Sequence, residues 1–287
     1  MNRKIIICIT KIVFLFILFD FSQLNAQFYI AQEDTQNGCY LSESFGETWN
    51  GSEWEDGWQC IYSYDGNWNC TKELIQIRDG ADWVDESQVV NTYDDHSNMI
   101  EHLEQFREGG IWVNDNKVTY TYDTNGYLIA ELEQEWDIFY WANQQLYTFF
   151  NDENGYDTVR IQQRWRYNSW VNRRKDVYTY NENNDKMLNM RYDWYEEYWV
   201  IDSRRIWERN TEGEYIEKRW EYWDGFEWVN EERSLSAYDS NLNRVRELYQ
   251  EWDGFNWVNT EKDSFVFDLN NNCNIQFFQQ FRFINAN

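Results

Sequence analysis

Beyond about residue 54 the chain alternates apolar and polar positions in short runs separated by turn residues. Leu128, Ala130, Leu132, Gln134 and Trp136 occupy every second place of one such run. That two-residue period belongs to a strand with one packed face. The run before it, Trp112 to Tyr122, is rich in β-branched and aromatic residues, which also favour strands. Asp123-Thr124-Asn125-Gly126 lies between the two. An Asp side chain can accept hydrogen bonds from nearby backbone, and Asn-Gly tolerates the positive φ that a tight reversal needs. Asp224-Gly225 and Asp253-Gly254 mark a second kind of turn. No segment sustains a 3.6-residue apolar period, so the pattern predicts hairpins and no helices.

The hairpins repeat. Trp54, Trp83, Trp112, Trp141, Trp170, Trp199, Trp228 and Trp257 are each 29 residues apart. With each of these Trp as repeat position 0, position 11 is always Asp or Asn: Asp65, Asp94, Asp123, Asp152, Asn181, Asn210, Asp239 and Asp268. Position 10 is Tyr or Phe in six of the eight repeats and position 22 is Gln in six. The predicted fold is all-β: an antiparallel array of eight 29-residue hairpins, in a curled, spiral or partly closed sheet. Such arrays are stabilised by stacking of neighbours more than by one central core. The expected organisation is a signal peptide over 1–26, a cap and half-repeat over 27–53, and the repeat domain over 54–285.

Loop lengths predict register. A three-residue loop at Thr124-Asn125-Gly126 puts Tyr122 opposite Leu128. A four-residue loop at Asp253-Gly254 puts Trp252 opposite Trp257, and the same spacing pairs Trp136 with Trp141, Trp165 with Trp170, Trp194 with Trp199 and Trp223 with Trp228. Trp, Tyr, Leu and Gln then share one face. Arg78 and Arg107 stand beside Trp83 and Trp112, within cation–π range. A two-residue Asp-Gly turn is the alternative and would break this pattern.

The N-terminus changes the picture. Arg3 and Lys4 precede a mostly apolar run, Ile5 to Phe19, and Leu24-Asn25-Ala26 offers a small-residue cleavage site. This is the layout of an export signal, shorter than a membrane span. Its removal moves the formal charge from −26 to about −28. A chain so acidic is unsuited to nucleic acid, which is bound by displacing counterions with Lys and Arg. With 20% aromatic residues and no proline, neither a disordered nor a collagen-like chain fits. Export permits disulfides among Cys39, Cys60, Cys70 and Cys273, and Cys60 and Cys70 are near enough in sequence to be a candidate bridge in one hairpin, register deciding.

At Tyr120-Thr121-Tyr122-Asp123-Thr124-Asn125-Gly126-Tyr127-Leu128 the chain resembles the YD repeat of the RHS-like family, with weaker copies at Tyr62-Ser63-Tyr64-Asp65 and Tyr178-Thr179-Tyr180-Asn181. It is also similar to secreted bacterial proteins in which Trp-Val-Asn alternates with Tyr-Asp-x-Asn-Gly. The resemblance implies hairpins spiralling into a β-shell.

Catalytic chemistry is sparse. His96 and His102 are the two histidines, both in one repeat, where they read as a turn residue and a solvent-facing strand residue. The Asp-x-Asn-Gly turns have Gly too early for an EF-type calcium loop. Neither a metal nor a cofactor is expected. The sequence therefore predicts an exported, non-enzymatic scaffold or adhesin, in the periplasm, secreted or on the outer cell surface. Its partners would be polysaccharide or a surface protein, without nucleic acid and without stable membrane insertion after signal cleavage. The alternative is a carbohydrate-binding array using the Trp rows: Trp112, Trp136, Trp141, Trp165, Trp170, Trp194, Trp199, Trp223, Trp228, Trp252 and Trp257. Third comes a glycoside hydrolase using paired acidic residues.

Overall fold

The computed structural model describes residues 27–31, 42–49, 52, 54–268 and 273–281. The expected signal peptide and Cys39 lie outside the described residues. Eighteen strands belong to one antiparallel sheet, and no helix occurs among the described residues. The chain divides into two compact units, residues 1–90 with 105–113, and residues 91–104 with 114–287.

Each repeat is a long strand, a turn, and a slightly shorter return strand, as in Ser169–Tyr180 followed by Lys186–Tyr195. The expected pairings hold. Tyr122 faces Leu128, and Trp136, Trp165, Trp194, Trp223 and Trp252 each face the Trp five residues on. At Asp224 and Asp253 the connection is the wide one. Between Arg166 and Ser169, and between Tyr195 and Tyr198, two residues suffice, and the register is the same.

The expected facial pattern is corrected. Ladders shift by one residue at two recurrent places, as between Glu133 and Gln134 and between Thr121 and Tyr122. The extra residues, such as Gln144 and Ile129, are β-bulges, and each bulge resets which side chains face which side. Trp136, Gln134 and Leu132 share a face with Trp141, Asn143 and Leu146. Tyr122 does not join them. Counting one residue on from Thr121, which faces Ala130, Tyr122 falls on the opposite side.

The core is thin and polar. Among the described residues Cys60 is the one buried hydrophobic side chain, whereas Gln88, Asn91, Gln162, Asp176, Asn189, Glu221, Ser234 and Glu247 are buried. Contacts between elements run between sequence-neighbour strands, so apolar stripes stay half-buried and buried polar groups bond one another. Asp176 receives Arg191 Nε and Asn189 Nδ2, both at 3.1 Å.

Among the described residues the turn at repeat position 14 takes a left-handed backbone in every repeat. Gly126, Gly155 and Gly213 adopt it at φ 83°, 85° and 90°, but Trp68, Ser97 and Leu242 adopt it at 66°, 65° and 62°. A side chain there costs about 1–2 kcal/mol, and glycine's extra unfolded-state freedom returns about half of that. Leu242→Gly is therefore expected to stabilise by roughly 0.5–1 kcal/mol in urea denaturation. Gly155→Ala should do the reverse, because its Cβ would also run into the Tyr127 ring.

Candidate functional site

The two ends of the hairpins differ in chemistry. At one end stand the Asp and Asn residues of position 11. Asp65 Oδ1 accepts the backbone N–H of Asn67 at 2.8 Å and of Asn69 at 2.9 Å, and Asp94, Asp123, Asp152 and Asp239 repeat the arrangement. Asn181 and Asn210 do it with an amide oxygen. This is the local capping expected of these turns. Hydrogen bonds from the Asn69 side chain and backbone hold the Asp65 carboxyl below the usual aspartate range, and Asn98 and Asn243 do the same for Asp94 and Asp239. Position 10 ties neighbouring repeats together. The hydroxyls of Tyr122, Tyr180 and Tyr238 donate to the carbonyls of Met99, Asp157 and Tyr215, each 23 residues back. Polar grooves separate successive turns: one of about 390 Å³ at Asn210, Tyr238 and Asp239, another of about 680 Å³ at Asp94, His96, Tyr122 and Asp123.

The Trp rows lie toward the other end. In each pair the rings meet edge to face, with centroids 5.1 Å apart for Trp136 and Trp141, 5.0 Å for Trp165 and Trp170, 4.8 Å for Trp194 and Trp199, and 5.3 Å for both Trp223 with Trp228 and Trp252 with Trp257. Such geometry adds roughly 0.5–1.5 kcal/mol per pair beyond burial. In four of the five pairs the second ring is also covered by a cation. Lys117 stands over Trp141 at 4.6 Å, Lys175 over Trp199 at 5.3 Å, Arg204 over Trp228 and Arg233 over Trp257 at 4.4 Å. Arg78 and Arg107 cover Trp83 and Trp112 at 4.6 and 5.0 Å, as expected. Beside them Gln134, Gln163 and Gln250 donate to Asn143, Asn172 and Asn259. Paired and half-buried, and four of them capped, these indoles build the sheet. A ligand would have to displace cations to reach the covered rings.

Open aromatic rings occur instead at the hairpin tips, which the sequence reading missed. Phe139, Tyr167, Phe226 and Phe255 are 86%, 94%, 89% and 85% exposed. A signal was available, since each stands inside a predicted turn where a polar residue is usual. The tips are well built. Asp224 Oδ1 accepts the backbone N–H of Phe226 and Glu227, and Asp253 Oδ1 those of Phe255 and Asn256, all at 2.7–2.8 Å. These bonds hold both carboxyls below the usual range, so they remain ionised beside their Phe rings.

One carboxylate group bears on catalysis. His102 bonds Asn91 at 2.8 Å and Glu104 at 3.4 Å, so it is a packed strand residue and not the solvent-facing one expected. Its hydrogen bond lowers the Glu104 pKa, and the Asn116 amide, 3.3 Å from Glu104 and 3.2 Å from Asp115, adds to this. Burial, then the charges of Glu104 and Glu135, raises that of Asp115.

The candidate bridge between Cys60 and Cys70 is also corrected, for both are thiols. Cys60 faces Ile75, whereas Cys70 faces Tyr64, four positions along the same strand. At about 3.3 Å per residue that offset is roughly 13 Å, beyond what a disulfide spans. Burial pushes the Cys60 thiol up to about 11.

No family model and no curated protein matches the chain. Solved structures do. A protein of unknown function from Bacteroides fragilis matches with 16% identity and a TM-score of 0.36, over 42% of this chain and 91% of that one. A porin-like protein from Bacteroides uniformis gives 9% and 0.37, over 83% and 93%. The Photorhabdus luminescens Tc holotoxin pore gives 10% and 0.39, over 88% of this chain and 14% of that one. At such scores the likenesses carry no argument about function. The architecture itself is that of a β-repeat protein.

Proposed function

We propose that the chain is an exported, non-enzymatic repeat protein that acts as an extracellular or cell-surface scaffold or adhesin. The observation that carries this reading is the recurrence of the same environments from repeat to repeat. Turn carboxylates, Trp pairs and Gln–Asn bonds recur, while a catalytic site needs one distinct constellation. The motif at Tyr120 to Leu128 sits in such a hairpin, which supports kinship with YD repeats. The export signal supports the destination.

The carboxylates Glu104 and Asp115, with opposed pKa shifts, are the arrangement a hydrolase would use, so they provide the test. Residues 27–287 assayed against a glycosidase and esterase panel should give no turnover above the blank. An activity abolished by Glu104→Gln or Asp115→Asn would make the protein an enzyme. Surface proteolysis of intact cells tests the destination, with digestion expected.

A further inference from the structure

We infer that the tip row Phe139, Tyr167, Phe226 and Phe255 is the docking edge for an extended, neutral polysaccharide. The inference deepens the adhesin reading and rests on it. All four tips belong to the same unit, residues 91–104 with 114–287, and to hairpins joined in one continuous ladder. Two strand spacings of about 4.8 Å separate adjacent tips, so the rings follow at about 10 Å from Phe139 to Tyr167 and from Phe226 to Phe255, and at about 20 Å from Tyr167 to Phe226. The tip between Tyr167 and Phe226 carries Glu196 and Glu197, flanked by Tyr195 and Tyr198, which are 57% and 53% exposed.

The chemistry of the row selects the occupant. Open rings beside ionised carboxylates suit a ligand with C–H faces and hydroxyl edges. The ring covers the C–H face of a sugar, and the outer oxygen of Asp224 or Asp253 accepts a hydroxyl proton. Charge complementarity removes polyanions. The chain is at −26, and Asp137, Glu196, Glu197, Asp224 and Asp253 stand at the tips themselves, so nucleic acid, acidic glycans and anionic lipid surfaces are repelled. The same charges separate the rings of one tip from those of the next, and at the first tip Ile138 and Tyr140, 72% and 58% exposed, flank Phe139. A ligand that repeats along its length meets several of these rings at once, and weak single contacts then add through effective concentration.

The test uses residues 27–287 in pull-down against insoluble cellulose, β-1,3-glucan and mannan, with polygalacturonate and phosphatidylcholine vesicles as contrasts. The tips are exposed, so replacing Phe139, Tyr167, Phe226 and Phe255 together by Ser should leave the melting temperature intact. Binding of wild type to at least one neutral glycan is expected, weakened about ten-fold or more in the four-fold variant. Trp68→Ser, at an exposed aromatic of a position-14 turn, should change nothing. Equal binding by the four-fold variant, no wild-type binding to any neutral glycan, or preference for vesicles or polygalacturonate would overturn the inference. Failure here leaves the scaffold reading to be judged separately, by surface proteolysis.

Discussion

Removing residues 170–198, one whole period, is expected to leave a soluble protein that melts cooperatively. Ser169 would then precede Trp199, as Tyr198 does now, and Trp165 would meet Trp199 in the place of Trp170. The deletion takes out a complete strand pair with one bulge of each kind, so the facial pattern on both sides of the junction survives. Ion pairs within the lost repeat, such as Asp176 with Arg191, leave together, whereas Arg209 loses Asp185, 3.2 Å away. Lys175 is lost from above Trp199, a small deficit of about 0.5–1 kcal/mol. Removing residues 170–184 instead joins strands out of phase. An odd shift without its bulge inverts every side chain beyond the junction. That protein should aggregate. Circular dichroism and light scattering of the two proteins give the comparison, and equal behaviour would contradict the nearest-neighbour account.

The second large effect is expected at Glu221. It is 5% exposed and holds two guanidinium groups: Arg204 through Nε, and Arg219 through Nε at 3.0 Å. Arg204 in turn lies over Trp228. Truncation by Glu221→Ala leaves Arg204 half-buried without that anion, while Arg219 keeps Glu217 at 3.2 Å, and breaking a pair of this kind costs about 3 kcal/mol. Glu221→Gln should cost only about 1 kcal/mol, since a neutral amide still accepts a hydrogen bond. Gln is also the residue found at the same repeat position in Gln163 and Gln250. Urea denaturation of the two variants measures the difference. Similar losses would mean that the guanidinium groups do not depend on the carboxylate.

Much of this fold was legible because the repeat averages out local ambiguity. One Trp or one Asp-x-Asn-Gly is weak, but eight copies at a fixed spacing leave hairpins as the economical reading. The turn chemistry was legible for the same reason, as position 11 has an oxygen acceptor in every repeat. The bulges were not. Residues at their positions include Gln144, Arg173 and Glu231, or Ile129, Thr158 and Met187, which carry no common side-chain mark. Without them, counting alternate positions sends Tyr122 to the Trp face. The cysteine bridge failed for a related reason, since closeness in sequence says nothing of the four-position offset that register imposes. The tip aromatics carry no such repeat signal, because they fall in turns and vary between Phe, Tyr and Glu, whereas the Trp recur at fixed spacing.

The register, bulges included, is the central claim, and cross-linking reads it directly. Leu132 pairs with Leu146, with Gln144 bulged out between that pair and Gln134 with Asn143. A ladder without the bulge would extend the Trp136–Trp141 register and bring Leu132 to Gln145. With native thiols replaced by alanine, Leu132→Cys is combined with Leu146→Cys or with Gln145→Cys and oxidised mildly. Directly paired strand positions lie about 4.5–5.5 Å apart, within disulfide reach. Mass spectrometry should find an intramolecular bond in the first protein and little in the second. A bond formed by position 145 in preference to 146 would contradict the bulged ladder and with it the assignment of the two faces.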